Sequence, residues 1–188
     1  MLIIIATIIA FWTLLAFWVQ LEGPSRFKQF GSPASTQSAL IVYDPDPIYN
    51  LDQKVCEAFA EGLSARGWKV TVASVRSAKK NSDTPFQLYL FCANTYYWRP
   101  DWAICRYIKS HPSISGKNVL ALTLGAGSTG SSQKKLEHLL LVQQVNLVDS
   151  RTTWLWRPNE NTGTHLSNTQ SAVNKAWKWA IEIADRFR

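Results

Sequence analysis

The residues with the most chemistry to offer stand in one short acidic turn. Asp44-Pro45-Asp46-Pro47-Ile48-Tyr49-Asn50 separates an apolar run, Ser38 to Tyr43, from an amphipathic stretch, Leu51 to Arg66. A strand feeding a helix start is a natural anion site, because unpaired N–H groups and the positive end of the helix dipole converge there. Carboxylates at Asp44 and Asp46 oppose that use, and each proline removes a donor. With Asp52, the same acids offer oxygen ligands to a hard cation such as Mg²⁺ or Ca²⁺. The rigid prolines between them work against a closed cage, so solvated turn carboxylates are the expected outcome.

Further clusters invite other chemistry. Asn94-Thr95-Tyr96-Tyr97-Trp98 places rings where they could stack on a flat ligand, plug the end of a sheet or meet a membrane. Gly125-Ala126-Gly127-Ser128-Thr129-Gly130 matches GxGxxG, follows a strand-type run and is trailed by Asp149. Its position late in the chain favours a small-residue loop over a dinucleotide fingerprint. Ser128, Thr129, Ser131, Ser132 and Lys134 still leave an anion site open there. His111, His138 and His165 lack ligand spacing and read as surface residues. Cys56, Cys92 and Cys105 are odd in number without CxxC spacing, which fits buried reduced thiols. A phosphoacceptor receiver arrangement is excluded, since Cys92-Ala93-Asn94 ends the third strand without an aspartate and Asp149-Ser150 stands where a lysine is required.

The elements that must position these residues alternate in type. Strand patterns cover Ser38–Tyr43, Trp68–Val75, Phe86–Cys92, Asn118–Leu124 and Val145–Val148, the last with a continuation open at Thr153–Trp156. Helical patterns cover Leu51–Arg66, a stub within Ser77–Pro85, Pro100–His111, Ser131–Val142 and a last helix after Ser167. Asn50 with Gln53 resembles a capping box, and Gly67 suits a left-handed cap. Val55, Cys56, Phe59 and Leu63 share one helix face. Val173, Trp177, Ala180, Ile181 and Ala184 form the expected buried stripe of the last helix. The pattern predicts an α/β doubly wound five-stranded parallel sheet, with ligands beyond the carboxyl ends of the strands.

Residues 1–21 carry no charged side chain and predict a transmembrane anchor, since about 20 helical residues cross a core of about 30 Å. Residues 22–37, rich in Gly, Pro, Ser and Gln, predict a flexible linker, and 38–188 a single domain. Arg26 and Lys28 follow the apolar segment, which places the soluble domain in the cytoplasm on a single-pass inner-membrane anchor. The net charge of +7 suits an anionic leaflet, and with no recognition motif beside it nucleic acid is not expected.

In order and spacing, the chain resembles the flavodoxin-like family. The residues that carry the resemblance are Ala39-Leu40-Ile41-Val42-Tyr43, Ala60-Glu61-Gly62-Leu63 with Gly67, Ala93-Asn94-Thr95-Tyr96, and Gly116-Lys117-Asn118-Val119 leading into Gly125-Ala126-Gly127. The resemblance implies a cytoplasmic FMN-binding fold, its sheet in the order 2-1-3-4-5, that transfers electrons or reduces quinones with NAD(P)H. It would place the FMN phosphate in the turn that holds Asp46, Ile48, Tyr49 and Asn50. The ring would lie against Asn94, Thr95, Tyr96, Tyr97 and Trp98, with Gly125, Ala126, Gly127 and Ser128 along its other edge. Family members carry hydroxyl residues and a glycine in that turn, where this chain has Asp44, Asp46 and Pro47. The expectation is a membrane-anchored flavodoxin-like protein that binds FMN and serves a redox partner or quinone. The alternative is a flavin-free interaction module at the membrane.

Overall fold

The computed structural model describes residues 2–80, 85–159 and 166–188. Parallel strands β2 (Ser38–Tyr43), β3 (Lys69–Ser74), β4 (Leu88–Tyr96), β6 (Asn118–Gly125) and β7 (Asn146–Trp154) lie in the order β3-β2-β4-β6-β7. Among the described residues the sheet has seven strands rather than five, because β1 (Phe27–Phe30) pairs antiparallel with β3 and β5 (Arg99–Pro100) pairs antiparallel with β4. The first of these falls in the expected linker. Its Phe-Lys-Gln-Phe is short, lacks apolar-polar alternation and sits among Gly, Pro and Ser, so the turn signal masks the strand signal.

The central strands are apolar without alternation because both faces are covered. Helices α2 (Leu51–Ala65) and α6 (Asn168–Arg186) pack on one face with Ile41, Val70, Leu90 and Leu122. Helices α3 (Val75–Ala78), α4 (Trp102–Ser110) and α5 (Gly130–Val142) pack on the other with Val42, Phe91, Val119 and Ala121. The two helices of the first face meet closely at Gly62, where an added Cβ would lie 2.6 Å from the Trp177 carbonyl oxygen and 2.7 Å from Ala180 Cβ. Gly67 ends the α2 segment with φ +88°, the left-handed conformation expected of it.

Local expectations fail where tertiary partners decide. Asn50 precedes α2 without a side-chain cap bond. On α6, Ser167 and Gln170 form a capping box, but the buried stripe is rotated from the expected one. Ala180 and Ala184 are buried as expected, whereas Trp177 is 43% exposed and Trp179 only 1%. Trp179 turns inward because its indole N–H reaches Asp149 Oδ2 at 2.9 Å and its ring meets Phe59 edge-on. Strand β7 runs unbroken through Asp149-Ser150-Arg151, residues that a sheet edge tolerates.

The apolar N-terminus forms α1 (Leu2–Trp18), 17 residues long, and no helix among the described residues is long and apolar enough to cross a membrane. The expected transmembrane anchor therefore finds no support among the described residues. Its last turns instead pack on the domain. Val19 and Gln20 are buried, and Phe17 meets Trp102 edge-on at 5.3 Å between ring centroids.

Candidate functional site

The fold changes direction between β2 and β4, and a cavity of about 260 Å³ opens at their carboxyl ends. Eight of the nominated residues line it: Asp46, Ile48, Tyr49, Asn94, Thr95, Tyr96, Gly125 and Ala126. Asn50, Tyr97, Trp98, Gly127 and Ser128 do not. Tyr97 and Trp98 instead point outward at the tip of the β4–β5 hairpin, 57% and 60% exposed, so the expected triple ring stack reduces to Tyr96. The opposite wall is Trp12, Leu15 and Ala16 of α1, with Val19 just after it. Sequence reasoning missed that wall. A helix apolar on every side reads as lipid-facing, although Trp12, set mid-helix rather than at an end, was a signal against it. Trp156 completes the mouth and meets Tyr49 edge-on at 6.5 Å.

The acidic turn is folded around its own side chains. Asp46 Oδ1 accepts the Ile48 and Tyr49 amide N–H groups at 2.7 and 2.8 Å, and its Oδ2 accepts the Tyr96 hydroxyl. Asp52 Oδ2 accepts the Asp46 amide at 2.6 Å and Asn94 Nδ2 at 3.2 Å. Asp44 Oδ1 accepts the Gly23 amide at 2.9 Å, tying the segment after α1 to the end of β2. Asp101 caps α4 through the Ile104 amide and accepts the Asn94 amide.

Asp44 and Asp52 are not the solvated carboxylates expected from sequence. Asp44, Asp52 and Asp101 are 3%, 2% and 1% exposed. Burial raises Asp44 and Asp52 to about 6 and Asp101 well above the usual carboxylate range. Burial, then the bond to Asp46, pushes the Tyr96 phenol up as well, so it stays a donor. No group of acids, histidines or cysteines among the described residues is placed to hold a metal ion.

The fit to FMN is therefore divided. Tyr96, Tyr49, Trp156, Trp12, Gly125 and Ala126 give a ring-sized apolar slot. The donors that would wrap a phosphate already hold the Asp46 carboxylate, so the phosphate end does not fit. Thr95 Oγ1, buried and without a hydrogen-bond partner, is a polar atom left over on the slot wall. The GxGxxG loop is closed by its neighbours: Trp154 Nε1 donates to Thr129 Oγ1 at 2.9 Å and Arg157 Nη1 to the Gly127 carbonyl at 2.9 Å. That agrees with the small-residue-loop reading. Cys56 and Cys92 are buried and Cys105 half-buried, all free; His138 is exposed and His165 lies outside the described residues.

No family model matches the chain, and no curated protein matches it by sequence. Solved structures do. A flavodoxin from the domain Archaea superposes with a TM-score of 0.62 at 14% identity, over 80% of this chain and 98% of that one. Rubredoxin oxygen:oxidoreductase from Desulfovibrio gigas gives 0.62 at 16% identity, over 81% of this chain but 36% of that larger protein. A WrbA-like flavodoxin from Agrobacterium tumefaciens gives 0.52 at 14% identity, over 82% and 100%. At such identities the likeness speaks for architecture: the chain has a flavodoxin-like fold.

Proposed function

We propose that this flavodoxin-fold protein works at a membrane surface, holding a flat, uncharged redox ring, an isoalloxazine or a quinone, in the slot between its sheet end and α1. One observation carries the reading: an apolar, ring-sized slot stands beside an anion cradle already filled by Asp46. A ring with a neutral tail suits that slot better than a nucleotide. Electron transfer is the chemistry such a ring would supply. The chain supplies position and exclusion of water, with Thr95 Oγ1 as a polar contact, and no acid–base residue is assigned.

The membrane part of the reading rests on α1. A helix apolar all round is expected to be covered all round. The sheet end covers one side, while Ile3, Ile9 and Leu14 on the rest are 82%, 60% and 69% exposed. An anionic leaflet on the cytoplasmic side suits that surface and the net charge of +7. We place α1 along the membrane surface rather than across it.

Titrating the full-length protein with riboflavin, FMN and a short-chain quinone, read by tryptophan fluorescence, tests the slot. Riboflavin or the quinone should bind below about 100 μM, with FMN no tighter than riboflavin. Silence with all of them would end the ring-binding reading. The second reading is a flavin-free docking module, and the observation that favours it is α1 itself seated across the slot.

A further inference from the structure

Exposed apolar side chains surround the mouth of the slot, and they come from separate loops. Ile48 and Tyr49 follow β2, Tyr97 and Trp98 follow β4, and Trp156 follows β7, with exposures of 51%, 44%, 57%, 60% and 68%. All stand at the carboxyl edge of one parallel sheet. Trp102 links this rim to α1 through its contact with Phe17.

The hairpin tip is the most telling part. Tyr96 pairs with Arg99, which leaves Tyr97 and Trp98 as a two-residue turn with φ of 49° and 57°. Such a turn favours Asn-Gly, because an L side chain at positive φ crowds its own backbone. Two large rings held in that conformation and thrust into water are unfavourable on both counts.

Cations flank the rings. Lys135 Nζ donates to the Trp98 carbonyl at 3.1 Å, and Lys134 lines an open groove beside it. Arg99 flanks the tip, and Arg157, over the Trp154 ring at 5.5 Å, flanks Trp156. Exposed Trp and Tyr with adjacent Lys and Arg is the composition that partitions to a lipid headgroup region.

We infer that the carboxyl rim of the sheet is a docking surface for an anionic lipid leaflet, so that the slot opens onto the membrane interface. A ligand then enters from the lipid side. The inference rests on the membrane reading above and adds a contact and an orientation that α1 alone does not supply.

Peptide-resolved hydrogen exchange of the full-length protein, with and without vesicles of phosphatidylcholine and about one-third phosphatidylglycerol, tests it. Residues 95–101 and 130–138 should gain protection with α1, and less so on phosphatidylcholine alone. The opposite sheet edge, around Gln87 and Asn118, should not. Protection of α1 alone overturns the rim while sparing the membrane reading; protection nowhere overturns both. Protection of the tip that grows with protein concentration in the absence of lipid would assign the rim to a second copy of the chain and overturn the lipid assignment. A Tyr97→Asn, Trp98→Gly double variant suits the turn and keeps the fold, and its vesicle affinity should drop about tenfold, or 1.4 kcal/mol. Unchanged affinity would refute the inference.

Discussion

Asp46 is the residue on which ligand choice turns. Its carboxylate receives two turn amides and a phenol, the company an anionic ligand oxygen would want. Replacing Asp46 by Ser frees the Ile48 and Tyr49 N–H groups and removes the charge. The FMN-to-riboflavin affinity ratio should then rise about tenfold or more, measured by fluorescence titration. The buried acids give a pH prediction. Asp44 and Asp52 have folded values of about 6 against an ordinary 3.8, so the native state binds more protons between those limits. Their contribution to stability is full below about pH 4 and is lost as pH rises through about 6. Asp44→Asn keeps an acceptor for the Gly23 amide, flattens that loss and gains on the order of 1–3 kcal/mol at pH 7 relative to wild type. Urea midpoints across this range, compared with wild type, are the check. Sequence showed that acids occupy the turn. It did not show which acid would fold back onto the turn and which would be buried, because both depend on Tyr96, Asn94 and Gly23, distant in sequence.

At the scale of elements, the α2–α6 crossing is set by Gly62. A methyl group there meets the Trp177 carbonyl and the Ala180 methyl at distances real contacts do not reach. Gly62→Ala should cost about 1–3 kcal/mol, seen as a lowered denaturation midpoint, while exposed Ala65→Gly on the same helix loses only the propensity difference of about 1 kcal/mol. The α2 face was legible because Val55, Cys56, Phe59 and Leu63 repeat at helical spacing with charged residues between them. The α6 face was not. Trp177 and Trp179 flank Lys178 alike, and only partners from other elements, Asp149 on β7 accepting the Trp179 N–H and Phe59 on α2 meeting its ring, settle which turns inward.

For the whole molecule, the question is what covers α1. Placing glutamates at Ile5 and Ile9, which are 48% and 60% exposed, should leave the far-UV spectrum of the domain unchanged and cut binding to anionic vesicles about tenfold or more. Binding unaltered by these charges would mean that this face of α1 does not meet lipid. The segment after α1 is held independently of that contact, by the Gly23–Asp44 hydrogen bond and by the Glu22 ion pairs with Arg76 and Lys79. Such exposed pairs are each worth little, so α1 depends on its apolar contacts for its place.

Beyond the strand order, which came from family resemblance, sequence by itself determined the alternation of strand and helix and the edge of the sheet where the cavity opens. Those follow from hydrophobic period and connection length, which are local. Only the tertiary structure decided that an apolar N-terminal helix walls the slot, that Asp46 fills the cradle and that Tyr97 and Trp98 face outward. Each of those outcomes pairs residues from different elements, and a side chain's choice among competing partners is settled only when the elements have met.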